Sequence, residues 1–227
     1  MRIIAGSRRG RMLHAPTGST TRPTADRVRQ ALFDMLLHAP WGGLPLLEGA
    51  HVLDAFAGTG ALGLEALSRG AEHVTFFETD RPALAALRAN IHACGWESRT
   101  TVIPRDVAYP RAPNPEREPA RLVFLDPPYR LGLPTTALRA LRDRGWLAPE
   151  AIVVAETARD EALPFAPPEE ETQAVDTPPQ AQPRQAPMAQ AAAGQAPAIA
   201  VPRRNGLVLE ALGERQHGAA RLSIWRL

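Results

Sequence analysis

The sequence predicts an α/β fold: a mostly parallel sheet with helices on both faces, closed by a C-terminal antiparallel hairpin. Three observations predict it. Between residues 51 and 156, short apolar runs of strand length alternate with helical patterns, as successive βαβ units require. Glycine or proline stands at most of the junctions, at Gly70, Pro82 and Gly95 for example, where helices start and stop. Two more strand-like runs, 207–213 and 219–226, meet near His217 and Gly218 as a hairpin would.

Each element has its own signal. Residues 1–20 set Ile3, Ile4, Met12 and Leu13 among glycine and arginine, which reads as a basic arm forming a short hairpin that turns between residues 6 and 10. A helix is predicted from Thr24, a candidate N-cap, to residue 38, because Val28, Ala31, Leu32, Met35 and Leu36 line one face. Strand 51–56 is followed by helix 61–69, and strand 73–79 by helix 82–94, with Pro82 suited to a first turn. Strands 101–104 and 121–126, helix 134–144 and strand 151–156 complete the alternation. Residues 164–202 hold nine prolines, eleven alanines and six glutamines. Such a stretch cannot bury enough apolar surface to offset its ordering entropy, so it is predicted to be a disordered insertion within a 21–227 domain.

Composition narrows the class. One cysteine, Cys94, allows no internal disulfide among 227 residues, which fits a reducing cytoplasm. The N-terminus lacks the apolar core of a secretory signal, and no apolar run reaches the roughly 18 residues of a membrane span. A soluble, cytoplasmic protein with no membrane contact is expected. His14, His38, His51, His73, His92 and His217 show no metal spacing, and a lone cysteine completes no zinc cluster, so no metal is expected. Residues 1–30 carry seven arginines against one acid, Asp26. A terminal block of like charge suits a nucleic-acid partner, and arginine's planar fork suits phosphate.

Two motifs carry chemistry. In "VLDAFAGTGALGLEAL" the glycines at 58, 60 and 63 satisfy G-x-G-x-x-G between a strand and a helix, a dinucleotide or nucleoside signature. Glu78 ends the next strand, where it can meet a ribose hydroxyl. Alone, this suits NAD equally. Asp54, just before the loop, would repel a diphosphate and suit a cation, which favours S-adenosylmethionine with its ammonium group. The cofactor residues are therefore taken as Asp54, Phe56, Ala57, Gly58, Thr59, Gly60 and Glu78, with Asp106 as partner for an adenine amino group.

The second motif is "LVFLDPPYRLG", an apolar strand stopped by an acid, two prolines and an aromatic ring. An exocyclic base amine is a weak nucleophile, since its lone pair is delocalised. Asp126 and the Pro127 carbonyl could accept its two hydrogens and stabilise the charge that develops on nitrogen. Pro127 and Pro128 stiffen that carbonyl, and Tyr129 offers a stacking face.

The combination resembles the bacterial 16S ribosomal RNA guanine-N2 methyltransferase family, through "MRIIAGSRRGRML", "RPTADRVRQALF", "LDAFAGTGALGLEALSRGAEHVTFFETDR" and "VFLDPPYRLGL". The resemblance implies a seven-stranded Rossmann-like methyltransferase sheet, S-adenosylmethionine as methyl donor, and Asp126, Pro127, Pro128 and Tyr129 as the target-base site. It implies 16S rRNA in small-subunit particles as partner. Arg22 and Thr24, in its R-P-T segment, would lie near the site's mouth. With Arg8, Arg9, Arg11 and Arg27 they form the expected RNA contacts, and a monomer is expected. Two other readings stay open: a DNA adenine-N6 methyltransferase, and a non-catalytic RNA-binding assembly factor on the same fold.

Overall fold

The computed structural model describes residues 1–15, 23–165 and 209–227, with side chains from Asp26 onward in the first helix. The insertion from residue 166, Arg22, the Thr24 side chain and the start of the strand at 207 lie outside the described residues.

Among the described residues, seven strands make one sheet. In chain order they are β1 (His51–Asp54), β2 (His73–Phe77), β3 (Thr100–Ile103), β4 (Ala120–Leu125), β5 (Leu147–Ala158), β6 (Glu210–His217) and β7 (Ala220–Arg226). Their spatial order is β3-β2-β1-β4-β5-β7-β6. The first five are parallel, while β7 runs antiparallel between β5 and β6, which is the expected closing hairpin. The chain builds outward from β1 to β3 and then returns to the other side of β1 with β4. That reversal opens a crevice at the carboxyl ends of β1 and β4.

The helices are α1 (Pro23–His38), α2 (Leu44–Leu47), α3 (Ala61–Ser68), α4 (Arg81–Cys94) and α5 (Leu133–Asp143). Alternate strand residues enter two cores. Val52, Phe76, Leu122, Phe124 and Val154 join Phe33, Leu36, Leu64, Leu67 and Leu87 on the face covered by α1, α3 and α4. Leu53, Phe77, Val123, Leu125 and Val153 join Leu138 and Leu141 of α5 and Trp146 on the other. Full burial of each large apolar side chain contributes roughly 1.5–3 kcal/mol.

The elements depart from expectation in several places; β1 and β2 each end two residues early, and β6 runs on to His217. Strand β5 is longer at both ends than 151–156. Leu147 pairs with Ala120 across a register shift, and Thr157 and Ala158 pair with Arg221 and Ala220; a neighbouring ladder extends a strand beyond its apolar run. The short α2 was not expected. The N-terminal residues are also no free arm. Arg2 and Met12 form a single antiparallel bridge, Ile3 and Leu13 are buried, and Ile4 and Ala5 donate their N–H groups to the Glu65 carboxylate at 2.7 and 3.0 Å. At Gly6 a Cβ would stand 1.7 Å from the Ser68 carbonyl oxygen, so only glycine allows the segment to lie this close to α3.

Candidate active site

Four neighbouring strands end their apolar runs on acids: Glu78 just beyond β2, Asp54 closing β1, Asp126 just beyond β4, and Glu156 within β5. Asp54 is level with Phe124, and Phe124 with Val154. Asp126 and Glu156 each lie two residues further, on the same face.

The glycine loop is shaped by its neighbours. Asp54 is buried and accepts the Gly63 N–H at 3.0 Å. A Cβ at Gly63 would meet the Phe76 ring at 2.3 Å, so this glycine lets α3 rest on the sheet. The Thr59 carbonyl accepts from Asn90 at 3.0 Å, and Gly60 donates to the Ala57 carbonyl at 2.7 Å. Gly58 differs from Gly63. It has a positive φ of 53° with open space where a Cβ would go, and its N–H donates to Glu78 Oε2 at 2.6 Å. Glu78 Oε1 accepts from Thr79 and Asp80, both at 2.7 Å. Three backbone N–H groups thus hold one carboxylate rigid.

These residues border a crevice of about 610 Å³, lined by Phe56, Gly58, Glu78, Asp106, Asp126, Pro127, Pro128 and Tyr129 among others. Asp106 accepts the Ala108 N–H at 2.8 Å and opens on the crevice. Of the expected cofactor residues, Ala57, Thr59 and Gly60 hold the loop rather than line the crevice. Asp54 also does not line it, so a direct contact with a bound ammonium is not what its position offers. Burial first, then the charge of Glu78, raise Asp54 to about 7 against the opposing Gly63 hydrogen bond.

Among the described residues the Asp126 carboxylate makes no hydrogen bond, in contrast to Asp54 and Glu78. It is exposed to the crevice. Even so, desolvation by the crowded walls, then the charges of Glu156 and Asp54, push it well above the usual carboxylate range. Tyr129 donates its hydroxyl to Glu156 Oε1. Desolvation first and this bond second raise its phenol well above its ordinary value. The following Arg130 has φ 64°; its N–H donates to Glu161 at 3.0 Å and its guanidinium holds both oxygens of Asp160, which fixes the end of the turn.

A second cavity, of about 380 Å³, opens on the other face of the sheet edge. Val28, Arg29 and Leu32 of α1, Ala61 and Leu62 of α3, Phe124, Leu125, Val154 and Glu156 are among its lining residues. Asp126 lines both cavities. Sequence reading overlooked Glu156 and Arg29. The signal for Glu156 was present, since "AIVVAE" ends on an acid as "LVFLD" does.

Of the expected RNA contacts, Arg9, Arg11 and Arg27 are exposed. Arg8 is also exposed but is tied to the fold, with its Nε donating to the Cys94 carbonyl at 3.0 Å and its guanidinium over Trp96. Among the described residues no group of three His, Cys, Asp or Glu could hold a metal ion, and no helix is long and apolar enough to cross a membrane.

Comparison with known proteins gives a consistent result. The family described as Conserved hypothetical protein 95 matches residues 1–174. Ribosomal RNA small subunit methyltransferase D of Escherichia coli (strain K12) is 39% identical over 167 residues, 74% of this chain and 79% of that protein. The Haemophilus influenzae protein of the same name is 37% identical over 164 residues, 72% of this chain and 81% of its own. The solved structure of a candidate methyltransferase, yhhF from Escherichia coli, superposes with a TM-score of 0.68 at 29% identity, covering 100% of this chain and 97% of that one. With its motifs, Rossmann-like methyltransferase sheet and relatives in agreement, this chain belongs to the rRNA methyltransferase family represented by ribosomal RNA small subunit methyltransferase D.

Proposed function

We propose that this protein transfers a methyl group from S-adenosylmethionine to the exocyclic N2 amine of a guanine in 16S rRNA of the small ribosomal subunit. The observation that carries the reading is Asp126, an unpartnered carboxylate among the described residues, standing where two cavities meet. A donor on one side and an acceptor on the other can react only at such a junction. The names of the relatives support rRNA as substrate; the guanine amine comes from the D-P-P-Y turn and the family resemblance.

The crevice suits the cofactor. Glu78 presents a rigid acid for a ribose diol, Asp106 an acceptor for an adenine amine, and Gly58 leaves free the space that a side chain would fill. Bound there, S-adenosylmethionine would supply an electrophilic methyl group on sulfonium. The buried Asp54 holds the loop through Gly63.

The residues of the turn handle the amine. Asp126 and the Pro127 carbonyl accept its hydrogens, so the lone pair turns towards the crevice. Acceptors fixed in advance need no reorganisation as charge develops. With its raised affinity for protons, Asp126 can also take the hydrogen that the methylated amine sheds. Positioning supplies most of the acceleration, because the methyl donor is already activated.

The test is incubation with labelled S-adenosylmethionine and unmodified 30S particles, followed by nucleoside mapping. Label in N2-methylguanosine of 16S rRNA is the expected result. Label in another nucleoside, or no transfer despite cofactor binding, would overturn the reading.

A further inference from the structure

We propose that Glu156 reads the target base as guanine, its carboxylate accepting the N1–H beside the reacting amine. The inference rests on the guanine reading above and assigns its specificity to a residue outside the D-P-P-Y turn.

Placement comes first. Leu125 and Ala155 are paired on adjacent parallel strands, so Asp126 and Glu156 follow side by side. Both line the second cavity, whose floor of Phe124, Leu125 and Val154 offers apolar surface to a base. Glu156 is oriented by the Tyr129 hydroxyl on Oε1, which leaves Oε2 for a ligand. Arg29 lines the same cavity and is only 5% exposed; its guanidinium donates to the Arg2 carbonyl and to Asp26, with its Nε 3.8 Å from Glu65.

Chemistry then selects the base. Guanine carries N1–H and the N2 amine next to each other on one edge, and two adjacent carboxylates accept from both. Its O6 carries partial negative charge, which suits a wall that holds the positive guanidinium of Arg29. Adenine presents a lone pair at N1, which a carboxylate repels, and has no amine at position 2. A site built to bond an N–H rejects the analogue that lacks it, because its own buried group is then left unpaired.

2-Aminopurine separates the two contacts, since it keeps the 2-amino group but has a lone pair at N1 and no O6. The experiment uses 30S particles reconstituted with guanosine or 2-aminopurine at the nucleotide mapped above. It measures kcat/KM for wild type, Glu156→Gln and Tyr129→Phe, with S-adenosylmethionine binding by calorimetry as a check on each fold. Wild type should prefer guanosine by about 10²-fold, the loss of a hydrogen bond to a charged group. Glu156→Gln, whose amide can offer N–H to the 2-aminopurine lone pair, should narrow the preference to under about 10-fold. Tyr129→Phe removes the hydroxyl that orients Glu156 and should narrow the preference by less than Glu156→Gln does.

A ratio unchanged in Glu156→Gln, or an equal narrowing in Tyr129→Phe, would overturn the assignment and leave Glu156 as a support for the Tyr129 ring. Absence of wild-type transfer to the guanosine particle would overturn the guanine reading itself, and this assignment with it.

Discussion

The Tyr129 hydroxyl donates to Glu156 Oε1 across the carboxyl edge of the sheet, from the turn after β4 to strand β5. The ring borders the crevice and the acid borders the second cavity. One hydrogen bond therefore ties together the walls of two chambers that share Asp126.

Asp126→Ala separates binding from chemistry. Asp126 makes no hydrogen bond among the described residues, so its loss should disturb the fold little. S-adenosylmethionine should bind nearly as tightly as in wild type, while methyl transfer to 30S particles falls by about 10²–10³-fold, comparable to losing one preorganised charge-stabilising group. Calorimetry and single-turnover transfer on one preparation decide it. Wild-type transfer in this variant would reduce the D-P-P-Y stretch to a strand-ending turn.

Glu78→Ala should show the opposite pattern. The variant loses the acceptor of three backbone N–H groups and the crevice's rigid acid. Cofactor affinity should fall by at least about tenfold, in line with a charged hydrogen bond, and turnover should partly recover at high S-adenosylmethionine. Unchanged affinity by calorimetry would remove Glu78 from the cofactor site.

Asp54 sets a pH dependence of stability. Its acid is raised to about 7 in the folded protein from an ordinary value of 3.8, so folding favours the protonated form. That contribution is fully present below about pH 4 and is lost as pH rises to about 7. Asp54→Asn keeps an acceptor for Gly63 but cannot ionise. Relative to wild type it should gain stability between pH 4 and 8, by on the order of 4 kcal/mol at most. Denaturant midpoints across that range test it; parallel curves would mean that Asp54 ionises without cost.

Glu65 should anchor the N-terminal segment. Fully buried, it accepts from Ile4, Ala5 and the Arg69 Nε at 2.7–3.0 Å. Glu65→Ala strands those donors and should cost about 3–5 kcal/mol, with new proteolytic cleavage within residues 1–15. A loss below about 1 kcal/mol would mean that the segment docks by Ile3 and Leu13 alone.

RNA binding by the basic segment should rest on Arg9 and Arg11, since Arg8 is held by Cys94 and Trp96. Replacing both with alanine should weaken binding to 16S rRNA and reduce the salt slope by about 0.7–0.9 for each phosphate that is no longer neutralised. Cofactor affinity should stay the same. An unchanged slope in filter binding across a salt series would assign RNA recognition elsewhere.

The βαβ alternation, the closing hairpin, and the place of the glycine loop and D-P-P-Y turn are all written in the sequence, because they depend on local periodicity and on what glycine and proline do to a backbone. Glu78 and Asp126 were legible for the same reason, since each directly follows a strand that the pattern marks, and Gly58 and Asp106 lie in the loops beyond such strands. Which acids face the crevice is a matter of packing. Asp54 and Asp126 look alike in sequence, yet the first is buried under α3 with Gly63 and the second stands open at the junction of two cavities. Strand pairing brought Glu156, thirty residues from Asp126, to its side, and helix packing brought in Arg29. The basic N-terminus read as an arm because its charge is visible in sequence, while the partner that binds it down, the buried Glu65, lies some sixty residues away. Local chemistry marks a group's capacity; long-range packing selects its neighbours, and the neighbours set its charge and its access to substrate.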